Sequence, residues 1–180
     1  MKKNKFLFIV SITLLLVLSG CGTNFSDGGV FASSKALVNE AKAGITEISY
    51  EDFLKKMDDG ELRVLIDVRE TFEFEEGFIN MPNDEDEYPY PETFTVNIPR
   101  GLLEFKIGSS SYWDDDLWVE MPPTDEEIVL YCKSGGRSAL AALTLQQMGY
   151  TKVFSLKGGY KKWLDPSAPE EDDSDKSSGG

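Results

Sequence analysis

Histidine is absent from this chain of 180 residues. Without an imidazole there is no Cys–His nucleophilic pair, no Ser–His–Asp triad and no His-ligated metal centre. Cysteine is nearly absent as well. Cys21 and Cys132 are too few for a structural zinc site within one chain, so neither a metal nor a cofactor is expected. Positive charge is scarce: 18 Lys and Arg stand against 32 Asp and Glu, a formal net charge of -14. Such a surface repels phosphate backbones and argues against nucleic acid as a partner. What the chain does have is 41% hydrophobic and 12% aromatic residues, enough for one packed core with extensions at either end.

The first twenty residues have the layout of an export signal rather than of a folded element. Lys2, Lys3 and Lys5 precede an apolar run from Phe6 to Leu18, and the small residues Ser19 and Gly20 lead to Cys21. The run falls short of the roughly 20 residues that a spanning helix needs. Leu18-Ser19-Gly20-Cys21 resembles the lipobox of bacterial lipoproteins. That resemblance implies cleavage before Cys21, acylation of its thiol and amine, and a mature protein anchored to a membrane of the cell envelope; several acyl chains hold where one binds only marginally. Cys132 is then the only free thiol of the mature chain, and a lone thiol in an exported protein calls for a chemical reason.

Four segments follow: a signal over 1–20, a tether over 21–44 with a short helix around Lys35–Lys42, a domain over 45–165, and an acidic tail over 166–180. Within the domain, strands are expected at Ile45–Ser49, Arg63–Val68, Thr93–Ile98, Glu127–Tyr131 and Lys152–Leu156, each a short run rich in β-branched or aromatic residues. Helices are expected at Tyr50–Asp59, Glu70–Glu76, Leu102–Ile107, Arg137–Met148 and Gly159–Leu164. This alternation predicts an α/β fold: a parallel sheet of about five strands flanked by helices on both faces. Ligands in such folds sit beyond the carboxyl ends of the strands, and Cys132 stands at one of those ends.

The loop Cys132-Lys133-Ser134-Gly135-Gly136-Arg137-Ser138 joins an apolar strand to a helix. Gly135 and Gly136 permit a tight cradle of backbone N–H groups. Lys133 and Arg137 bring positive charge, and Ser134 and Ser138 bring hydroxyl donors; each of these favours a thiolate over a thiol. No general base is required.

Cys132-x-x-Gly135-x-Arg137-Ser138 resembles the active-site loop of the rhodanese sulfurtransferases. So do Asp67-Val68-Arg69-Glu70, Gly77-Phe78-Ile79 (with Phe78 in place of the usual histidine), Asn97-Ile98-Pro99, and Gly158-Gly159-Tyr160 with Trp163, in the family's order across Ile45–Leu164. The resemblance implies that Cys132 takes sulfane sulfur from thiosulfate or a related donor and passes it to cyanide, a thiol or a protein acceptor. Lys133 and Arg137 would orient the anionic donor and stabilise the leaving sulfite, or Arg137 would instead pair with an acidic residue at the base of the loop. Asp67 and Arg69 would support the loops rather than react. Two stretches depart from the family pattern, Met81–Thr93 and Ser109–Thr124, both acidic and aromatic: either solvated insertions whose aromatics pack on the core, or a partner surface. If they border the site, their charge discourages small anionic donors.

Three other functions remain compatible with these residues. Cysteine phosphatases use a Cys-x5-Arg loop, one residue longer than the spacing between Cys132 and Arg137, and the shorter cradle suits sulfur better. Arsenate reduction is disfavoured on similar grounds. A membrane-tethered binding or sensor module without turnover is the third.

Overall fold

The computed structural model describes residues 33–79, 94–117, 119–168 and 170. The stretch read as an export signal, Cys21, the insertion at 81–93 and most of the stretch read as an acidic tail lie outside them.

Five strands form one sheet: β1 (Thr46–Ile48), β2 (Val64–Asp67), β3 (Phe94–Asn97), β4 (Glu127–Tyr131) and β5 (Lys152–Leu156). Their order across the sheet is β1-β5-β4-β2-β3 and every pairing is parallel. Parallel neighbours need crossovers, and helices supply them. These are α2 (Tyr50–Asp58), α3 (Thr71–Glu75), α4 (Leu103–Lys106, entered through a 3-10 turn at Arg100–Leu102), α5 (Gly136–Gln147) and α6 (Gly159–Leu164). The expected α/β architecture is therefore the one found, and β4, β5 and α6 have the anticipated bounds.

Successive residues of a strand point to opposite faces, so the sheet has two cores. Val64, Ile66, Ile128, Leu130 and Val153 pack with Leu103 of α4 and with Ala141, Ala142 and Leu145 of α5. On the other face Leu65, Val129, Tyr131 and Leu156 pack with Phe53 and Met57 of α2, and Tyr160 and Trp163 of α6 lie against them. The central strand β4 is covered on both sides, which is why it reads as a continuous apolar run.

The short helix expected around Lys35–Lys42 is present, but it packs on the domain instead of lying in a tether. Here α1 (Ser34–Gly44) starts at Ser33, whose hydroxyl accepts the N–H of Ala36 at 3.2 Å. It buries Val38 and Ala41 and packs on α5. The reason is amphipathicity carried by small residues, which lets two helices approach closely without large apolar side chains. The stretch Ser109–Thr124 follows the first of its two readings, with aromatics packed on the core. It contains a π-helical turn, Ser111–Asp116, that buries Tyr112 and Trp113. The indole N–H of Trp113 donates to Ile107 O at 2.9 Å and the Tyr112 hydroxyl donates to Asn97 O at 3.2 Å, so these aromatics cap the α4–α5 core. Among the described residues no helix is long and apolar enough to cross a membrane.

Candidate active site around Cys132

Strand β4 ends at Tyr131, in the middle of the sheet, and delivers Cys132 to its carboxyl edge. Cys132 is 1% exposed, at the bottom of the loop rather than on its rim. The N–H of Gly135 donates to its Sγ at 3.1 Å, and the Ser138 hydroxyl lies 3.7 Å from the same sulfur. Ser138 is itself held by Gly135 O at 3.1 Å and by the Ser155 hydroxyl at 2.8 Å. Gly135 adopts φ +105°, a conformation that side chains disfavour, and this torsion turns its N–H toward the sulfur and opens α5.

The loop owes its shape to the last helix. Tyr160 N donates to Cys132 O at 2.8 Å and Lys161 N donates to Lys133 O at 3.0 Å. A trans peptide holds its C=O and N–H antiparallel, so the N–H groups of Lys133 and Ser134 are turned away from α6. The first turn of α6 thereby sets the direction of the loop amides. This contact requires glycine at position 159: its φ is +54°, and a Cβ there would stand 2.3 Å from Cys132 O.

Of the predicted site residues, Cys132, Gly135, Gly136, Arg137 and Ser138 come together, and Lys133 projects outward, exposed. Ser134 is buried, and no hydrogen bond joins its hydroxyl to the sulfur. Arg137 makes a pairing of the kind the second of its two readings describes. Its guanidinium grips Glu73 of α3 with two bonds of 2.6 and 2.9 Å. Glu73 also accepts the N–H of Glu70 at 3.1 Å, completing a capping box at the start of α3. The hydrogen bond from Arg137 holds the Glu73 carboxyl below the usual carboxylate range despite its partial burial. Its hydrogen bonds to Glu73 in turn raise the Arg137 pKa against partial burial.

Asp67 and Arg69 form a buried pair at the end of β2. Arg69 Nη2 lies 2.6 Å from Asp67 Oδ2 and also donates to Gly77 O at 2.7 Å. Burial disfavours the charge on Arg69, but the bonds and charge of Asp67 outweigh it and raise the pKa. The guanidinium stacks 4.0 Å from the Tyr160 ring centre. The pair reaches the cysteine loop through Tyr160 of α6 and through Tyr131, whose ring centre lies 5.6 Å from the Arg69 guanidinium. Behind it, burial and then the charge of Asp67 push the Tyr131 phenol upward, so it stays neutral and accepts the N–H of Ile79 at 3.2 Å. Phe78 stacks on Phe74 at 4.3 Å instead of offering a polar group to this turn.

Sequence reasoning did not single out Glu73 or Ser155. Glu73 lies in a polar stretch, and its three-residue spacing from Glu70 was the one available signal. Ser155 interrupts an otherwise apolar face of β5, a signal of the same modest kind.

Residues 49–166 match the family model described as "Rhodanese-like domain". A putative sulfur carrier protein of Bacillus subtilis, YrkF, is 30% identical over 125 residues, which are 69% of this chain and 54% of that protein; the chain thus spans about half the length of that relative. A sulfurtransferase of Allochromatium vinosum is 27% identical over 69% of this chain and 94% of its own length. Among solved structures, the human single-domain sulfurtransferase TSTD1 superposes with a TM-score of 0.56 at 25% identity, covering 68% of this chain and 97% of that one. A Rhodopseudomonas palustris protein of unknown function, described as a possible tyrosine phosphatase, superposes with a TM-score of 0.55 at 29% identity, covering 81% and 98%.

Proposed function

The chain belongs to the rhodanese-like family, and on that premise we propose that it transfers sulfane sulfur through a persulfide on Cys132. The observation that carries this reading is the short bond from Gly135 N–H to Sγ, at the floor of a loop whose arginine is committed elsewhere. In the first step the Cys132 thiolate attacks the outer sulfur of thiosulfate or a related donor. The donor's S–S bond breaks, sulfite leaves with the electron pair, and a Cys132 persulfide anion remains. In the second step a thiolate, cyanide or a protein acceptor attacks the terminal sulfur and the Cys132 thiolate is released. Backbone N–H groups preorganised around an anionic sulfur serve both steps without a proton shuttle, in keeping with a chain that has no histidine. Burial of the sulfur shelters the persulfide from water.

The likeness to the possible tyrosine phosphatase favours a second reading. Against it stand the four-residue spacing from Cys132 to Arg137 and the bidentate pairing of Arg137 with Glu73 rather than with a site for phosphate. One experiment separates the two. Purified protein is treated with thiosulfate and examined by mass spectrometry. Sulfur transfer predicts the gain of one sulfur atom, lost in Cys132→Ser. Hydrolysis of an aryl phosphate without any sulfur gain overturns it. Turnover with cyanide distinguishes an enzyme from a sulfur-binding module.

We further propose that the protein is exported and held at a membrane by acyl chains on Cys21, on the strength of the sequence around that residue. Incorporation of labelled palmitate that persists in Cys21→Ser, or fails in the wild type, refutes this.

A further inference from the structure

A second line of polar groups lies behind the cysteine, and it begins before the residues matched by the family model, which start at 49. Glu47 of β1 is in register with Ser155 of β5. Their neighbours Ile48 and Leu156 face the α2 core, so Glu47 and Ser155 point to the opposite face, toward α1 and α5. The Ser155 hydroxyl meets Ser138, which meets Sγ. Lys42 of α1 completes the line. Its Nζ is 3.4 Å from Glu47 Oε1, with side chains only 22% and 18% exposed, and 3.9 Å from where a Cβ on Gly135 would be. Together with the bond from Gly135 N to Sγ, this puts the ammonium no more than about 10 Å from the sulfur. Glu47 Oε1 is shielded from solvent, so its charge is poorly screened on that side.

We propose that Lys42 is a positioning residue for the reactive sulfur: its ammonium neutralises Glu47 behind the cradle and keeps that carboxylate from opposing negative charge on Cys132. Other charged groups lie on the elements around the sulfur, Glu70 and Glu73 beside Arg137 among them. Arg137 of α5 is tied to Glu73 of α3. Asp67 and Arg69 at the end of β2 are tied to each other. Lys133 is exposed on the loop, and Lys161 and Lys162 lie on α6. The Lys42–Glu47 pair is contributed by α1 and β1, so the segment ahead of the family match takes part in the chemistry of the loop.

This inference rests on the reading of Cys132 as an anionic sulfur nucleophile, and its test is independent of sulfur transfer. The rate of Cys132 alkylation by iodoacetamide is measured against pH, with a thermal melt of each variant to establish folding. Lys42→Met moves the midpoint of the profile up by about one pH unit, about tenfold in rate below the midpoint. Glu47→Gln moves it down, the double variant returns it to the wild-type position, and Lys42→Arg leaves it in place. Shifts of the same sign in the two single variants, or none, overturn the proposal, because a purely structural pair would lower the melting temperature without opposite effects on the sulfur. Should Lys42→Met not fold, Glu47→Gln alone decides: a downward shift supports the proposal and any other result overturns it. Wild-type protein that takes no sulfur from thiosulfate while these shifts hold refutes the sulfur-transfer reading and leaves the role of Lys42 standing.

Discussion

Replacing Gly159 with alanine tests the claim that α6 shapes the cysteine loop. The new Cβ would stand 2.3 Å from Cys132 O and 3.1 Å from the carbonyl carbons of Cys132 and Lys133, all of them backbone atoms that cannot swing aside. The helix must therefore back away from the loop. An L-residue in the left-handed region costs about 1–2 kcal/mol. Weakening the bonds from Tyr160 N and Lys161 N to the two loop carbonyls costs about 0.5–1.5 kcal/mol each. The loss of stability is then about 2–5 kcal/mol. Gly149→Ala is the control, since Gly149 also has a positive φ, +98°, but nothing lies within 4 Å of the added Cβ. It should cost only the backbone strain, about 1–2 kcal/mol, and leave sulfur loading intact. Urea denaturation gives the two stabilities, and the rate of persulfide formation gives the state of the loop. Gly159→Ala is expected to be less stable than Gly149→Ala and to load sulfur at least tenfold more slowly, roughly what misaligned donor groups cost. If the two variants are equally stable, or Gly159→Ala loads at the wild-type rate, α6 does not set the loop geometry.

Three further outcomes follow from the same contacts. Glu73→Gln should cost about 1–2 kcal/mol by removing the charge that holds Arg137. In the wild type that contribution, which comes from a lowered carboxyl pKa, is complete above the ordinary glutamate value and is lost as pH falls through the folded one; urea midpoints between neutral and acid pH should converge with those of the variant. Arg69→Lys leaves Asp67 buried without its bidentate partner and Gly77 O without its donor, and a loss of about 3–5 kcal/mol is expected in the same assay. Trp113→Ala should cost about 3–5 kcal/mol while sulfur loading per folded molecule stays unchanged, since the indole packs in the α4–α5 core and its N–H bonds Ile107 O.

The central strands were legible because their signal is strong and local. The EIVLY and KVFSL runs are bounded by polar or turn residues, and a buried parallel strand has few alternatives with that composition. Cys132 was legible for the opposite reason: a lone thiol in a glycine-rich basic loop has no ordinary structural role. What stayed hidden depends on tertiary contacts. Nothing in the sequence marks Glu73 among its acidic neighbours as the partner of Arg137, because the two are 64 residues apart and meet only once α3 and α5 are in place. The π-helical turn at Ser111–Asp116 has no apolar period of its own and forms because Tyr112 and Trp113 find a core to enter. The helix α1 is anchored by Val38 and Ala41, too little apolar surface to separate it from a tether by composition. The insertion at 81–93 and Cys21 lie outside the described residues.

Because Tyr160 and Lys161 supply the donors that orient the peptides of Cys132 and Lys133, the site is finished by nearly the last part of the domain to be made. During synthesis the cysteine leaves the ribosome well before α6 does, on a strand that can already pair with β2. Until residues 158–161 arrive, the carbonyls of Cys132 and Lys133 lack these donors. Chains broken off before α6 would keep the thiol but not the ordered loop around it, so the geometry of the site is gained only when α6 has been made.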